Sequence, residues 1–386
     1  MAQITLPGLI DCHVHFREPG LEHKGTLATE AAAARAGGVT AVCEMPNTAP
    51  PTVTIAALED KVRRASRIKD CDIRFFMGAT EPRHLLAIRD LWRSAAPHMR
   101  QLKSRCAGLK LYFDHSTGDQ GAGKETIEEA FKLSAELGFT IVAHCEDAKI
   151  NSECRMQNSE LDVSLHSEIR PARSEIIAIE HAIGLVRAYG GKLHIAHLST
   201  AGGIDAVRKA KKEGLAVTCE VAPQHLFLTV DDYALLGTFA KMNPPLRTRE
   251  HQEALWKGIA DGTVDCIATD HAPHTLGEKK IDPPLSAPSG VPGVETMLPL
   301  LLTVVAGKWP GKELKASSYK LEAADIVRLC FDNPNRIFSL GKSPEDATVT
   351  IDPDAEWTIR GEELHSKCGW TPYEGWQVKG RVVNVS

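Results

Sequence analysis

No apolar run in this chain approaches the length of a membrane span, and its start lacks a signal peptide's basic opening and long apolar core. There is no long basic run, and the net charge is −5, so nucleic-acid binding has no electrostatic footprint. Internal repeats and low-complexity tracts are missing, which removes solenoid and linker architectures. There is also no CxxC pair. Ten cysteines are scattered over 386 residues, several inside apolar runs. That usage fits buried thiols in a reducing cytoplasm better than a disulfide framework. What remains is the composition of a soluble globular protein, 43% hydrophobic and 25% charged, long enough for one large α/β barrel or two ordinary domains.

The chain is rich in alternation. Short apolar runs occur at Leu9–His15, Val39–Met45, Ile73–Gly78, Gly108–Phe113, Thr140–His144, Leu193–His197, Ala216–Val221 and Asp265–Thr269. Amphipathic segments separate them: Thr26–Ala36, Thr54–Ile68, Pro82–Arg93, Lys124–Leu137, Arg173–Ala188, Gly202–Lys212 and Arg249–Ile259, with Gly293–Val305 after the last run. Eight β–α units with near-continuous apolar strands predict an α/β fold, a (β/α)8 TIM barrel, with a doubly wound open sheet as the alternative. The barrel is expected over 1–345, closing with a helical region at Leu321–Phe338. A small β appendage with strands at Thr348–Ile351, Trp357–Ile359 and Val378–Val385 is expected over 346–386.

Against this background Ile10–Arg17 stands out. With a strand's period of two, His13, His15 and Arg17 share a face. Two imidazoles on one face suit zinc, and the arginine beyond them suits a planar carboxylate. A surface strand with stray histidines explains a lone HxH equally well.

The other strand ends favour the metal reading. They carry Asn47, Lys110, His144, His197, Glu220 and Asp270, with His225 and His274 in the loops just after. Groups ending different strands of one barrel converge at its top. The set fits two zinc-like ions sharing a bridging hydroxide, with His13, His15 and Asp270 on one ion and His144 and His197 on the other. An ammonium at Lys110 would be repelled by both ions, but a lysine carboxylated by carbon dioxide becomes an anion able to bridge them. Alternatively, Lys110 is salt-bridged across the barrel floor.

The stretch Leu6–Gly20 resembles the first metal-binding strand of dihydroorotases, members of the amidohydrolase superfamily. The resemblance spans nearly the whole chain, through Met45-Pro46-Asn47-Thr48, Gly108-Leu109-Lys110-Leu111-Tyr112, Thr218–Pro223, Met242–Arg247, Asp270-His271-Ala272-Pro273-His274 and Asn333-Pro334-Asn335-Arg336. Within the family the likeness is greatest to the dihydroorotase domain of the animal multifunctional pyrimidine-synthesis protein, including the tail Trp370–Gly375. It implies a binuclear zinc hydrolase that interconverts dihydroorotate and N-carbamoyl-aspartate in pyrimidine biosynthesis. It implies that Arg17, Asn47 and His274 bind the substrate carboxylate, that Asn243 faces the ring, and that Asp270 is both metal ligand and general acid/base. A homodimer and association with aspartate transcarbamoylase are the partner expectations, with no nucleic acid and no membrane.

The chain departs from the family in three places. His144-Cys145-Glu146-Asp147 resembles the bacterial branch, where an acid bridges the metals, so Asp147 rivals Lys110. A third zinc in some relatives needs a cysteine where this chain has Ala196, which argues against a third zinc at Glu220 and His274. The stretch Gly118–Lys124 imitates a P-loop, but Glu125 replaces the Ser or Thr that would hold magnesium. Asp114–Gly123 is therefore read as a lid. Two rival readings remain: a hydantoinase or allantoinase, which generally lacks an arginine at position 17, and a silent scaffold, which would have lost metal ligands.

Overall fold

The structure is a computed structural model that describes residues 3–114, 120–157 and 162–386. Much of the expected lid, residues 115–119, lies outside the described residues.

Eight parallel strands run in chain order around one sheet: β2 (Leu9–Val14), β3 (Val39–Glu44), β4 (Asp72–Gly78), β5 (Cys106–Tyr112), β6 (Thr140–His144), β7 (Lys192–Ile195), β8 (Val217–Val221) and β9 (Cys266–Ile267). The ring closes where Val14 bridges His271 and the His15 N–H donates to the His271 carbonyl at 2.7 Å. Consecutive order with closure is the expected TIM barrel and excludes the open sheet.

Helices start where side-chain caps are available. Thr26 and Thr54 accept from the N–H groups of Thr29 and Ala57, launching helices Leu27–Ala36 and Ile55–Ala65. Helix Lys124–Leu137 stops at Gly138, whose φ of 79° suits a residue without a Cβ. The apolar residues divide into two layers. Leu9, Val42, Ile73 and Leu109 face the helices, while Ile10, Cys12, Ala41, Phe76 and Cys266 fill the barrel.

The two long connections are not structureless. Cys145–Pro171 contains helices Ala148–Gln157 and His166–Ile169, and Ala222–Thr248 contains Pro223–Phe227 and Tyr233–Leu236. The closing region is helical from Ala323 to Ile337, with a π turn at Arg328–Asp332. Pro334 has no N–H to complete a regular ladder there. From this end Phe331, Phe338 and Leu340 plug the barrel floor, Phe338 meeting Phe76 edge-on at 5.5 Å.

The small sheet is antiparallel, with β1 (Ile4–Pro7) joining β12 (Thr348–Thr358) and β13 (Gln377–Val385). Two strands had been expected between 348 and 359. They are one, with an irregular register between Asp352 and Glu356 that absorbs the turn residues. Between barrel and sheet lies a short ribbon, β10 (Lys308–Trp309) paired with β11 (Lys315–Ala316).

Candidate active site

Strand β2 ends at Val14, and its register slips between Asp11 and Val14. A period of two therefore does not carry through to Arg17. Cys12 and His13, adjacent in sequence, both reach Glu220. Arg17 lies beyond the strand and is set by a left-handed turn, φ 70°. His197 (φ 32°) and Asp270 (φ 48°) also have positive φ. Three of the four non-glycine residues so held among the described residues thus carry expected site side chains. Backbone strain of this kind costs about 1–3 kcal/mol per residue and collects where function fixes geometry.

The expected ligands come together as two groups. Asp270 Oδ1 stands 2.9 Å from His15 Nε2 and 3.3 Å from His13 Nε2. His144 Nδ1 and His197 Nε2 are 3.0 Å apart. Two donors each about 2.0–2.1 Å from a tetrahedral zinc stand about 3.3 Å apart, so both spacings fit shared ions. The remaining ring nitrogens are held from behind. His13 Nδ1 donates to the Glu220 carboxylate, His15 Nδ1 donates to Asn47 Oδ1 at 2.7 Å, and His144 Nε2 donates to Glu146 Oε2 at 2.8 Å. Such partners fix the tautomer and aim the opposite lone pair at a metal.

The electrostatics agree. Burial pushes His15 down to about 4 and His197 well below its ordinary value, which keeps both imidazoles neutral. Burial works to raise the Asp270 carboxyl, but His13 and His15 outweigh it and hold the group below its ordinary value. Lys110 is buried, and its Nζ has no hydrogen-bond partner among the described residues, 5.0 Å over the Tyr112 ring. Burial pushes this amine down to about 8. The salt-bridged lysine has no counterpart here, whereas an unpartnered amine with a low pKa is the form that can add carbon dioxide.

Asp147, the rival bridge, is turned away: its Oδ1 accepts from the Ile150 N–H and starts helix Ala148–Gln157. The acid beside the expected ligands is Glu146, fully buried. Burial acts to raise its pKa, but Arg170 and then His144 hold it low. Arg170 contacts Glu146 Oε2 at 2.6 Å and Asp114 Oδ2 at 2.5 Å. Glu220 and His274 face different partners, Glu220 meeting His13 and His194 while His274 meets Arg17 and Lys24. His225 is structural, with Nε2 donating to the Pro244 carbonyl at 3.0 Å.

Beside these ligands opens a cavity of about 610 Å³. All four residues expected to bind substrate line it: Arg17, Asn47, Asn243 and His274. The Arg17 guanidinium donates to the Pro273 carbonyl at 3.0 Å and lies 3.1 Å from His274 Nε2. Asn47 uses its oxygen on His15, which leaves its buried Nδ2 without a partner. His166 Nε2 holds the Asn243 side-chain oxygen at 2.9 Å. The lining adds Lys24, Arg155, Arg170 and Lys241, and among the described residues contains no Asp or Glu. Sequence reasoning missed these cations and His166, because they come from loops with no motif around them. Glu146 had a signal, an acid two residues after a ligand histidine.

A model of the amidohydrolase family matches residues 4–342. The chain is 39% identical over 377 residues to a dihydroorotase of Halobacterium salinarum, covering 96% of this chain and 82% of that protein. It is 37% identical over 385 residues to the multifunctional protein CAD of Squalus acanthias, covering 99% of this chain and 14% of that protein. Among solved structures it resembles an L-hydantoinase (dihydropyrimidinase) from Arthrobacter aurescens, with a TM-score of 0.88 and 26% identity over 100% of this chain and 84% of that one. A dihydropyrimidinase from Brevibacillus agri shares the fold, with a TM-score of 0.86 and 22% identity over 100% of this chain and 83% of that one.

Proposed function

Since the chain belongs to the amidohydrolase family, we propose that it is a dihydroorotase, which opens dihydroorotate to N-carbamoyl-aspartate and closes it again in pyrimidine biosynthesis. The observation that carries the substrate choice is the cavity: cations line it, among the described residues no acid does, and Arg17 lines it together with Asn47, which holds His15. A ring bearing a carboxylate fits such a wall, and an uncharged ureide does not need it. The likeness to hydantoinases carries the fold and does not by itself decide the substrate.

The residues fit two zinc ions: His13, His15 and Asp270 would hold one, His144 and His197 the other, and Lys110, once carboxylated, would add an anionic ligand. When bound, the pair supplies an acidified water and polarises the amide carbonyl. Arg17 and the free Asn47 Nδ2 donate to the substrate carboxylate, with His274 alongside. Asn243 faces the ring. The attacking water loses one proton to solvent, and Asp270 takes the remaining proton of the hydroxide and passes it to the ring nitrogen as the C–N bond breaks. The products are a new carboxylate and a neutral ureido nitrogen. Ring closure runs the same steps backward.

Zinc counted per chain, together with turnover of dihydroorotate and N-carbamoyl-aspartate, tests this reading. Two zincs with turnover in both directions support it. Zinc with turnover of uncharged hydantoins alone makes the chain a hydantoinase, and absence of both makes it a scaffold. Incorporation of labelled carbon dioxide into Lys110, read by mass, tests the bridge. Gel filtration alone and with aspartate transcarbamoylase tests the proposed homodimer and association. No helix among the described residues is long and apolar enough to cross a membrane.

A further inference from the structure

Beneath the catalytic groups, four neighbouring strands around the barrel each contribute one metal-binding side chain: His194 from β7, Glu220 from β8, Cys266 from β9 and Cys12 from β2. The donor atoms of Cys12, His194 and Cys266 all lie within 4.8 Å of one another. Glu220 Oε2 stands 3.0 Å from His194 Nε2 and 3.4 Å from Cys12 Sγ. All four residues have 0% exposure. Below them, Phe338 meets the His194 ring at 5.1 Å, so the cluster is sealed from solvent on the floor side.

Thr218 Oγ1 lies 2.8 Å from His194 Nδ1 and 3.3 Å from the Leu193 carbonyl, which fixes the ring so that Nε2 faces the Glu220 carboxylate at 3.0 Å. Two thiols converge on the same point.

We propose that Cys12, His194, Glu220 and Cys266 form a further divalent-metal site in the barrel interior, separate from the catalytic pair. Two sulfurs, an imidazole and a carboxylate are a closed four-ligand set of the kind that holds structural zinc, with the two thiol protons released on binding. The other oxygen of Glu220 holds His13 Nδ1, so the ion also braces a catalytic ligand from behind. It has no open position for water and no path to substrate, which makes its role one of support.

Cobalt replacement in the native chain is the test. None of the catalytic ligands is a thiol, so a thiolate-to-cobalt charge-transfer band in the near ultraviolet reports this site alone. Cobalt loading should give that band together with three metal equivalents per chain. Cys12→Ser and Cys266→Ser should each weaken or abolish the band and lower the count toward two. A fully loaded native chain with two equivalents and no thiolate band overturns the proposal, and so does a band that survives both substitutions unchanged. The readout needs no substrate, so it stands or falls independently of the reaction proposed above.

Discussion

Replacing Arg17 with methionine separates the two reactions that this fold could serve. The side chain is 4% exposed, and among the described residues no carboxylate lies within salt-bridge distance of it. Its protein contacts are Nε to the Pro273 carbonyl and a guanidinium nitrogen 3.1 Å from His274 Nε2. The rest of the guanidinium is left for an anion. Removing one partner of a buried charge pair costs about 3–5 kcal/mol, of which the protein bond to Pro273 accounts for about 1 kcal/mol as stability rather than catalysis. About 2–4 kcal/mol therefore falls on the transition state for dihydroorotate, a loss in kcat/KM of roughly 30- to 1000-fold. Dihydrouracil, which lacks the carboxylate, should lose no more than about 5-fold by the same reasoning. Steady-state kinetics on both substrates, with melting temperature and zinc content checked in parallel, gives the answer. Equal losses on the two substrates, in a folded and zinc-loaded variant, would refute a carboxylate-binding Arg17.

Lys110→Met should remove bridging and with it zinc or activity, while short carboxylic acids added to Lys110→Ala should restore part of it; full activity in Lys110→Met would exclude the carboxylated bridge. Glu146→Gln should weaken retention of the zinc at His144 by about 10- to 100-fold in a chelator competition, because the ring loses its charged partner, and unchanged retention would make Glu146 merely an anchor for Arg170. Hydrolysis needs ionised Asp270 and cyclisation needs the protonated form, so hydrolysis should rise and cyclisation fall as pH increases through the titration that the carboxylate shares with the attacking water, and rates that rise together would remove the proton shuttle from Asp270. Asp72 contacts Arg105, Lys342 and Arg74 at 2.6, 2.7 and 2.9 Å. Burial acts to raise its pKa but these cations depress it, so its stabilisation is present above the unfolded carboxyl value and fades as pH falls below it. Asp72→Asn should therefore cost about 1–3 kcal/mol near neutrality and less below about pH 3, read by denaturant melts at both pH values.

Sequence alone determined the barrel and most of the candidate metal ligands. Eight apolar runs alternating with capped amphipathic segments leave few ways to bury both faces of a parallel sheet, and polar residues at the ends of those runs have one place to meet. His13, His15, Lys110, His144, His197 and Asp270 were legible for that reason. Tertiary structure decided whatever depends on direction or on distant loops. Glu146 and Asp147 are neighbours in sequence, yet one turns inward to His144 and the other caps a helix, a choice made by where strand β6 gives way to the next helix. Arg17 reaches the site through a left-handed turn rather than strand phase. The cations Lys24, Arg155 and Lys241 belong to separate loops that only the closed barrel brings to one wall. Cys12, His194, Glu220 and Cys266 carry no shared motif, because their common point exists only where four neighbouring strands curve around one axis. Local pattern fixes which residues face inward; closure of the sheet fixes which of them meet.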